Sequence, residues 1–231
     1  MKIIAIITAR KNSKGLPNKN MLPLGDKPMI AYSMETATAV KSLDAVVLST
    51  DMEDAIAYAA THFPQIEVPF KRPDSLAGDE SSLYDVVIDL YRYYEEKGNA
   101  PTHLVLLQPT SPFRKVEEME SGIDMLRNGA ESVLGVSPVM HHPAEYLYEE
   151  NGKIQFLMSE WNAKRRQEFP EIWFNNGAFY GCSFEFLQRT GKFFDENSAL
   201  LKMSEGSLLD INTEFEYLMA NGIAIQKNMN H

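Results

Sequence analysis

Cysteine is nearly absent, basic charge is in deficit, and no long apolar run occurs. Cys182 is the only cysteine among 231 residues. It excludes an intramolecular disulfide and suits a reducing compartment. No apolar stretch approaches the roughly 20 residues that a membrane-crossing helix needs. The first candidate, Ile3 to Ala9, is too short for a signal-peptide core, and the basic cluster follows it. A cytoplasmic location is the expectation. Lysine and arginine number 22 against 32 acids, a formal net charge of −10. With a pI near 5.0, this argues against a protein that binds nucleic acid through a basic surface. Repeats and low-complexity tracts are missing too. So are the phosphate-loop patterns G-x-x-x-x-G-K and G-x-G-x-x-G. His141-His142 has no cysteine or third histidine nearby, which favours a structural role over a metal pair.

What is present is a strand–helix alternation. KIIAIIT (2–8), AVVLST (45–50), HLVLLQ (103–108) and SVLGVS (132–137) read as buried strands. Between them lie helical patterns: one after Pro28, one after Asp51 as its cap, and others over 82–96 and 116–127. The alternation predicts an α/β fold, a mainly parallel sheet with helices on both faces. The rhythm breaks at Pro138. From there to Ile172 the chain is aromatic and irregular, with a hairpin expected at Glu150-Asn151-Gly152. It is too short for a core of its own, so it reads as an insertion (138–172) in a single domain (1–231).

The loop after the first strand carries the strongest chemical signal. Arg10, Lys11, Lys14 and Lys19 fall within ten residues, and no acid precedes Asp26. In doubly wound sheets ligands bind beyond the C-terminal ends of strands. Gly15 permits close backbone approach, Ser13 offers a hydroxyl, and Arg10, Lys14 and Lys19 supply charge for a polyphosphate. Near the other end, Asp210 and Asn212 point the same way in extended chain, as metal ligands would. Thr213-x-x-Glu216 is equally a capping box, so both readings stand on the residues alone.

A-R-x-x-S-K-G-L-P-x-K-N (9–20) resembles the signature loop of the acylneuraminate cytidylyltransferases, the CMP-sialic acid synthetases. Further matches follow in order: L-S-T-D (48–51), R-P-x-x-L-A-x-D (72–79), L-L-Q-P-T-S-P-F-R (106–114), H-H-P (141–143), R-Q (166–167), N-G-A-F-Y (176–180) and D-I-N-T (210–213). The ordered set spans essentially the whole chain.

The resemblance implies a Rossmann-like, three-layer (GT-A-like) nucleotidyltransferase that moves a cytidylyl group from CTP to the anomeric hydroxyl of a nonulosonic acid. N-acetylneuraminate is the first expectation. Legionaminate, pseudaminate, a deaminated sialic acid and 3-deoxy-octulosonate are alternatives, as is a non-catalytic nucleotide-binding protein. Ala9, Arg10, Ser13, Lys14, Gly15, Lys19 and Asn20 would hold the triphosphate, and Arg72, Asp79 and Ser82 the cytidine side. Gln108, Thr110, Ser111, Arg166, Gln167 and Asn176 would face the sugar. Arg10, Lys19 and Asp210 would be catalytic, and Asp210 with Asn212 would hold Mg²⁺, or Mn²⁺ in its place. Asn212 stands where the family has a second Asp, and Phe174 where many sialic-acid members have Arg. The resemblance also implies a homodimer whose insertion helps to close the neighbour's sugar site, with no membrane or nucleic-acid partner.

Overall fold

The apolar run near the start becomes β1 (Ile3–Ala9), buried at every position because helices cover both of its faces. The computed structural model describes residues 1–11, 15–78, 81–161 and 164–229, without the side chains of Arg166 and Asn228. In chain order, β1 is followed by two short strands, β2 (Pro23–Leu24) and β3 (Lys27–Pro28), then α1 (Met29–Ala39), β4 (Ala45–Thr50), α2 (Glu53–His62) and α3 (Leu83–Glu96). Next come β5 (His103–Leu107), α4 (Val116–Arg127) and β6 (Ser132–Pro138). The hairpin β7 (Leu147–Glu150) and β8 (Lys153–Phe156) precedes β9 (Trp173–Ser183), α5 (Phe184–Thr190), β10 (Ala199–Lys202) and α6 (Glu214–Met229).

The main sheet has the order β10-β6-β9-β5-β1-β4. Its pairs are parallel except those of β9, which runs against both β5 and β6. The period-2 alternation of a strand sorts β1 between two cores. Ile3, Ala5 and Ile7 pack with α1, α2 and α4; Ile4 and Ile6 pack with α3 and α5. This is the three-layer arrangement expected from the alternation. A third, smaller cluster joins Leu16, Leu24, Phe113, Leu209 and Ile211 to Ala220 and Ala224 of α6. It ties the loop after β1 to the segment before α6.

Local signals explain most boundaries. Pro28 caps α1, and the Ser82 hydroxyl accepts from the Asp85 amide to cap α3. Asn151 and Gly152 both adopt positive φ, which the expected tight hairpin needs. One expectation fails: Asp51 does not cap α2. Met52 holds that position, and the Asp51 carboxylate instead accepts from the Lys11 amide at 2.9 Å.

Phe179 is fully buried at the centre of the α1/α2/α4 core. Phe179→Ala should cost about 3–5 kcal/mol by removing a packed ring from a site that cannot collapse, read in urea denaturation. An exposed change such as Phe215→Ala should stay within about 0.5 kcal/mol.

Candidate active site

Strands β1, β4 and β5 end at one edge of the sheet. Because β9 runs the other way, its first residues arrive at that same edge. A cavity of about 480 Å³ opens there. Thr8 enters it from β1, Arg10 from just beyond that strand, and Gly15, Lys19 and Asn20 from the following loop. Arg72, Gln108 with Thr110, and Asn212 come from three further segments. The lining thus has three cations and, among the described residues, no carboxylate. In a protein of charge −10 this is a local anion site.

Each cation is held differently. Arg72 is buried, with Nε donating to Ser49 Oγ at 3.1 Å and a terminal nitrogen to the Ser49 carbonyl at 2.6 Å. Burial pushes its pKa down to about 10, against an opposing pull from Asp51. Arg10 donates to the Gly78 carbonyl at 3.1 Å. The Lys19 ammonium donates to the Ile211 carbonyl at 3.2 Å and to Asn212 Oδ1 at 2.9 Å. Burial lowers the Lys19 pKa; Asp210 opposes this and Arg10 adds to it. Asn20 is buried and donates to the Arg10 carbonyl at 3.2 Å, folding the loop onto its own start. A Cβ on Gly15 would overlap the Asn212 carbonyl oxygen, so glycine is required where the loop crosses the 210–213 turn.

That turn is itself a network. Asn212 Nδ2 donates to Asp210 Oδ2 at 2.7 Å. Asp210 Oδ1 is buried and meets no donor among the described residues. Glu216 Oε2 accepts from the amides of Asn212 and Thr213, each at 2.8 Å, so the capping box is present. The Ile211 amide donates to the Thr110 carbonyl at 2.8 Å, anchoring the turn to the corner after β5.

A second, larger groove of about 1120 Å³ begins at the same turn. Asn212 lines both spaces, and Asp210 and Glu216 line the second. Most of its remaining wall is apolar, including Phe113, Met140, Trp173, Phe174 and Leu209.

The structure gathers Arg10, Gly15, Lys19, Asn20, Arg72, Gln108, Thr110 and Asn212 around one cavity, with Asp210 at its rim. Gln108 and Thr110, expected to face the sugar, line the same cavity as the cations. Asn176 is fully buried, with Nδ2 donating to Ser137 Oγ at 2.8 Å and Oδ1 accepting from the Ala178 amide at 2.9 Å. Its side chain is thus held by neighbouring buried groups and supports the wall of the site. Ser111 is buried, and its hydroxyl donates to the Asn176 carbonyl at 3.3 Å. The Ala9 side chain packs in the core, and the Ser82 hydroxyl is spent on its helix cap. Gln167 is exposed and lines neither space. Ser13, Lys14 and Asp79 lie outside the described residues, as does the Arg166 side chain.

Sequence reasoning missed Arg114. It is buried beneath the site, and burial lowers its pKa while Asp210 opposes the shift. It donates to the carbonyls of Gln108 and Ala178 and, at 2.9 Å, to Ser33 Oγ. One guanidinium thus joins the corner after β5 to β9. The available signal was a lone arginine closing the proline-rich run 109–114. Gly177 belongs to the same joint: it has φ +69°, and a Cβ there would lie 3.3 Å from Gln108 Oε1.

An α/β sheet with a cationic cavity at its C-terminal edge defines a nucleotide-handling enzyme of the nucleotidyltransferase class. The chain belongs to the cytidylyltransferase family, whose model matches residues 4–201. It is 30% identical over 233 residues to the CMP-N,N'-diacetyllegionaminic acid synthase of Legionella pneumophila, covering 95% of this chain and 94% of that protein. It is also 30% identical to the N-acylneuraminate cytidylyltransferase of Escherichia coli, across 98% of this chain but only 53% of the longer relative. Its fold is that of a CMP:2-keto-3-deoxy-manno-octonic acid synthetase solved with CTP, at TM-score 0.72, 15% identity and coverage of 98% and 100%.

Arg114→Met should leave buried carbonyls without donors, at about 1–3 kcal/mol for each. Arg114→Lys keeps the charge without the planar fork and should recover only part of the loss in chemical denaturation.

Proposed function

We propose that the chain transfers the cytidylyl group of CTP to the anomeric hydroxyl of a nonulosonic acid. The carrying observation is a cavity lined by Arg10, Lys19 and Arg72, with no acid among its described lining residues, that meets a second groove at Asn212. One space suits a triphosphate and the other an acceptor, so the reacting atoms meet at the 210–213 turn. The sugar hydroxyl attacks the α-phosphorus, the bond from that phosphorus to the bridging oxygen breaks, and pyrophosphate leaves with the electron pair. Positioning and charge neutralisation carry such a reaction. Lys19 and Arg10 offset the charge that gathers on the leaving group. Gln108, held through its carbonyl by Arg114, and Thr110, held through its carbonyl by the Ile211 amide, shape a further wall of the cavity.

The donor set fits a divalent cation, because Asp210 Oδ1 is a buried carboxylate oxygen that meets no donor among the described residues. Asp210 would hold Mg²⁺ (or Mn²⁺), with the Asn212 amide oxygen beside it once Lys19 turns to phosphate. Such an ion neutralises phosphate charge when bound. Asn212 donates to Asp210, which a second carboxylate could not do.

The 138–172 insertion supports a homodimer. Leu147, Tyr148 and Ile154 are exposed on a two-stranded hairpin, and a lone hairpin is marginally stable in water. A second copy would cover it and close the acceptor groove. The acidic composition and single cysteine support a cytoplasmic enzyme.

CTP-dependent pyrophosphate release across a panel of nonulosonic acids tests the activity; silence with every member would contradict it. Asp210→Asn should nearly abolish turnover. Asn212→Asp should lower the Mg²⁺ concentration for half-maximal rate, since it restores a full charge. Its metal-free melting temperature should drop, and added Mg²⁺ should raise it more than in the wild type. An unchanged Mg²⁺ dependence, with Asp210→Asn active, would leave only the capping turn. Light scattering at micromolar concentration should give roughly twice the chain mass, and Ile154→Asp should shift it towards one chain.

A further inference from the structure

His142 lines neither the cationic cavity nor the larger groove, yet it is buried, at 8% exposure, in an insertion whose hairpin is exposed. Its two ring nitrogens have unlike partners. The Ala144 amide can only donate, so Nδ1 accepts from it at 3.1 Å. The Pro170 carbonyl can only accept, so Nε2 carries the hydrogen and donates at 3.1 Å. These partners fix a single neutral tautomer and leave neither nitrogen for a metal or a substrate. The ring also packs on Phe169, with centres 4.5 Å apart, and Phe169 meets Trp161 in a T-shaped contact at 6.3 Å.

These contacts join the two arms of the insertion. The ladder between β6 and β9 ends with Pro138 opposite Trp173. Beyond it, His142 on the outgoing arm holds Phe169 and Pro170 on the returning one. Both arms line the larger groove, with Met140, His141 and Pro143 from the first and Ile172, Trp173 and Phe174 from the second. Neither arm contributes a described residue to the lining of the cationic cavity. We infer that His142 is a positioning residue: by bridging Ala144 to Pro170 it sets the separation of the arms, and so the hold of the groove on the acceptor, without touching the acceptor itself. The inference rests on the cytidylyl-transfer reading and adds to it a residue outside both spaces.

Two substitutions separate the ring's contacts. His142→Gln extends an amide nitrogen towards the place of Nε2 and keeps a donor for Pro170, whereas His142→Asn keeps only an acceptor for Ala144. Circular dichroism checks that both fold. Pyrophosphate release is followed with the fastest-reacting nonulosonic acid of the panel, varying acceptor and CTP in turn. His142→Asn should raise the acceptor KM about fivefold, the scale of one lost hydrogen bond. Its kcat and its KM for CTP should stay within about twofold, because the loss is one of acceptor binding alone. His142→Gln should stay near the wild type. In a Trp173→Phe background Trp161 is the sole tryptophan, and acrylamide should quench it more strongly in His142→Asn than in His142→Gln. An acceptor KM unchanged in His142→Asn, a loss as large in His142→Gln, or a loss shared equally by acceptor and CTP would each overturn the inference and leave cytidylyl transfer standing. No pyrophosphate from the wild type with any nonulosonic acid would remove the underlying reading and this inference with it.

Discussion

The ammonium of Lys19 reaches across from the loop after β1 to the Ile211 carbonyl and the Asn212 side chain, and Asn212 passes the contact on to Asp210. Much of the site depends on this crossing. It joins residues 192 and 193 positions apart in the chain. At its end lies a buried Asp210 oxygen that meets no donor among the described residues. The crossing is possible because the loop lies directly on the turn at Gly15, and because Leu16 and Ile211 share a small apolar cluster with α6. A charge held this way is poised. Desolvation has already been met by the fold, and an incoming phosphate replaces weak neutral acceptors with an anionic one.

The second dependence is topological. Parallel strands bring only their C-terminal ends to the ligand edge. By running backwards, β9 brings its N-terminal half there too. The register slips between Leu134 and Val136 of β6 against Tyr180 and Asn175 of β9. The intervening Asn-Gly-Ala stretch bulges, Asn176 turns inward, and Gly177 clears space beside Gln108. Arg114 then binds both sides of the joint through main-chain carbonyls. The wall of the cavity is therefore set largely by groups that never face it.

This division marks what the sequence could reveal. The strands were legible because apolar runs such as Ile3–Ala9 need cover on both faces. The hairpin was legible because Asn-Gly supplies positive φ cheaply. The loop cations were legible because four basic residues within ten positions, with no acid before Asp26, stand out in an acidic chain. Buried roles were not. A motif asparagine such as Asn176 reads the same whether it meets a ligand or three buried protein groups. Arg114 reads as another surface cation until its carbonyl partners, 6 and 64 residues away, are brought together. Asp51 had two plausible destinations, and the Lys11 amide outcompeted the helix end.

The central claim is that the charge on Lys19 holds the phosphates of CTP, and the pH dependence of CTP binding tests it most directly. Burial lowers the Lys19 pKa in the free protein, so binding should weaken as pH rises through a midpoint below the usual lysine range. Arginine stays charged over that range. Lys19→Arg should therefore keep its affinity to higher pH, and Lys19→Ala should bind weakly and without that alkaline transition. Calorimetric titrations giving the same alkaline transition in all three proteins would contradict the account.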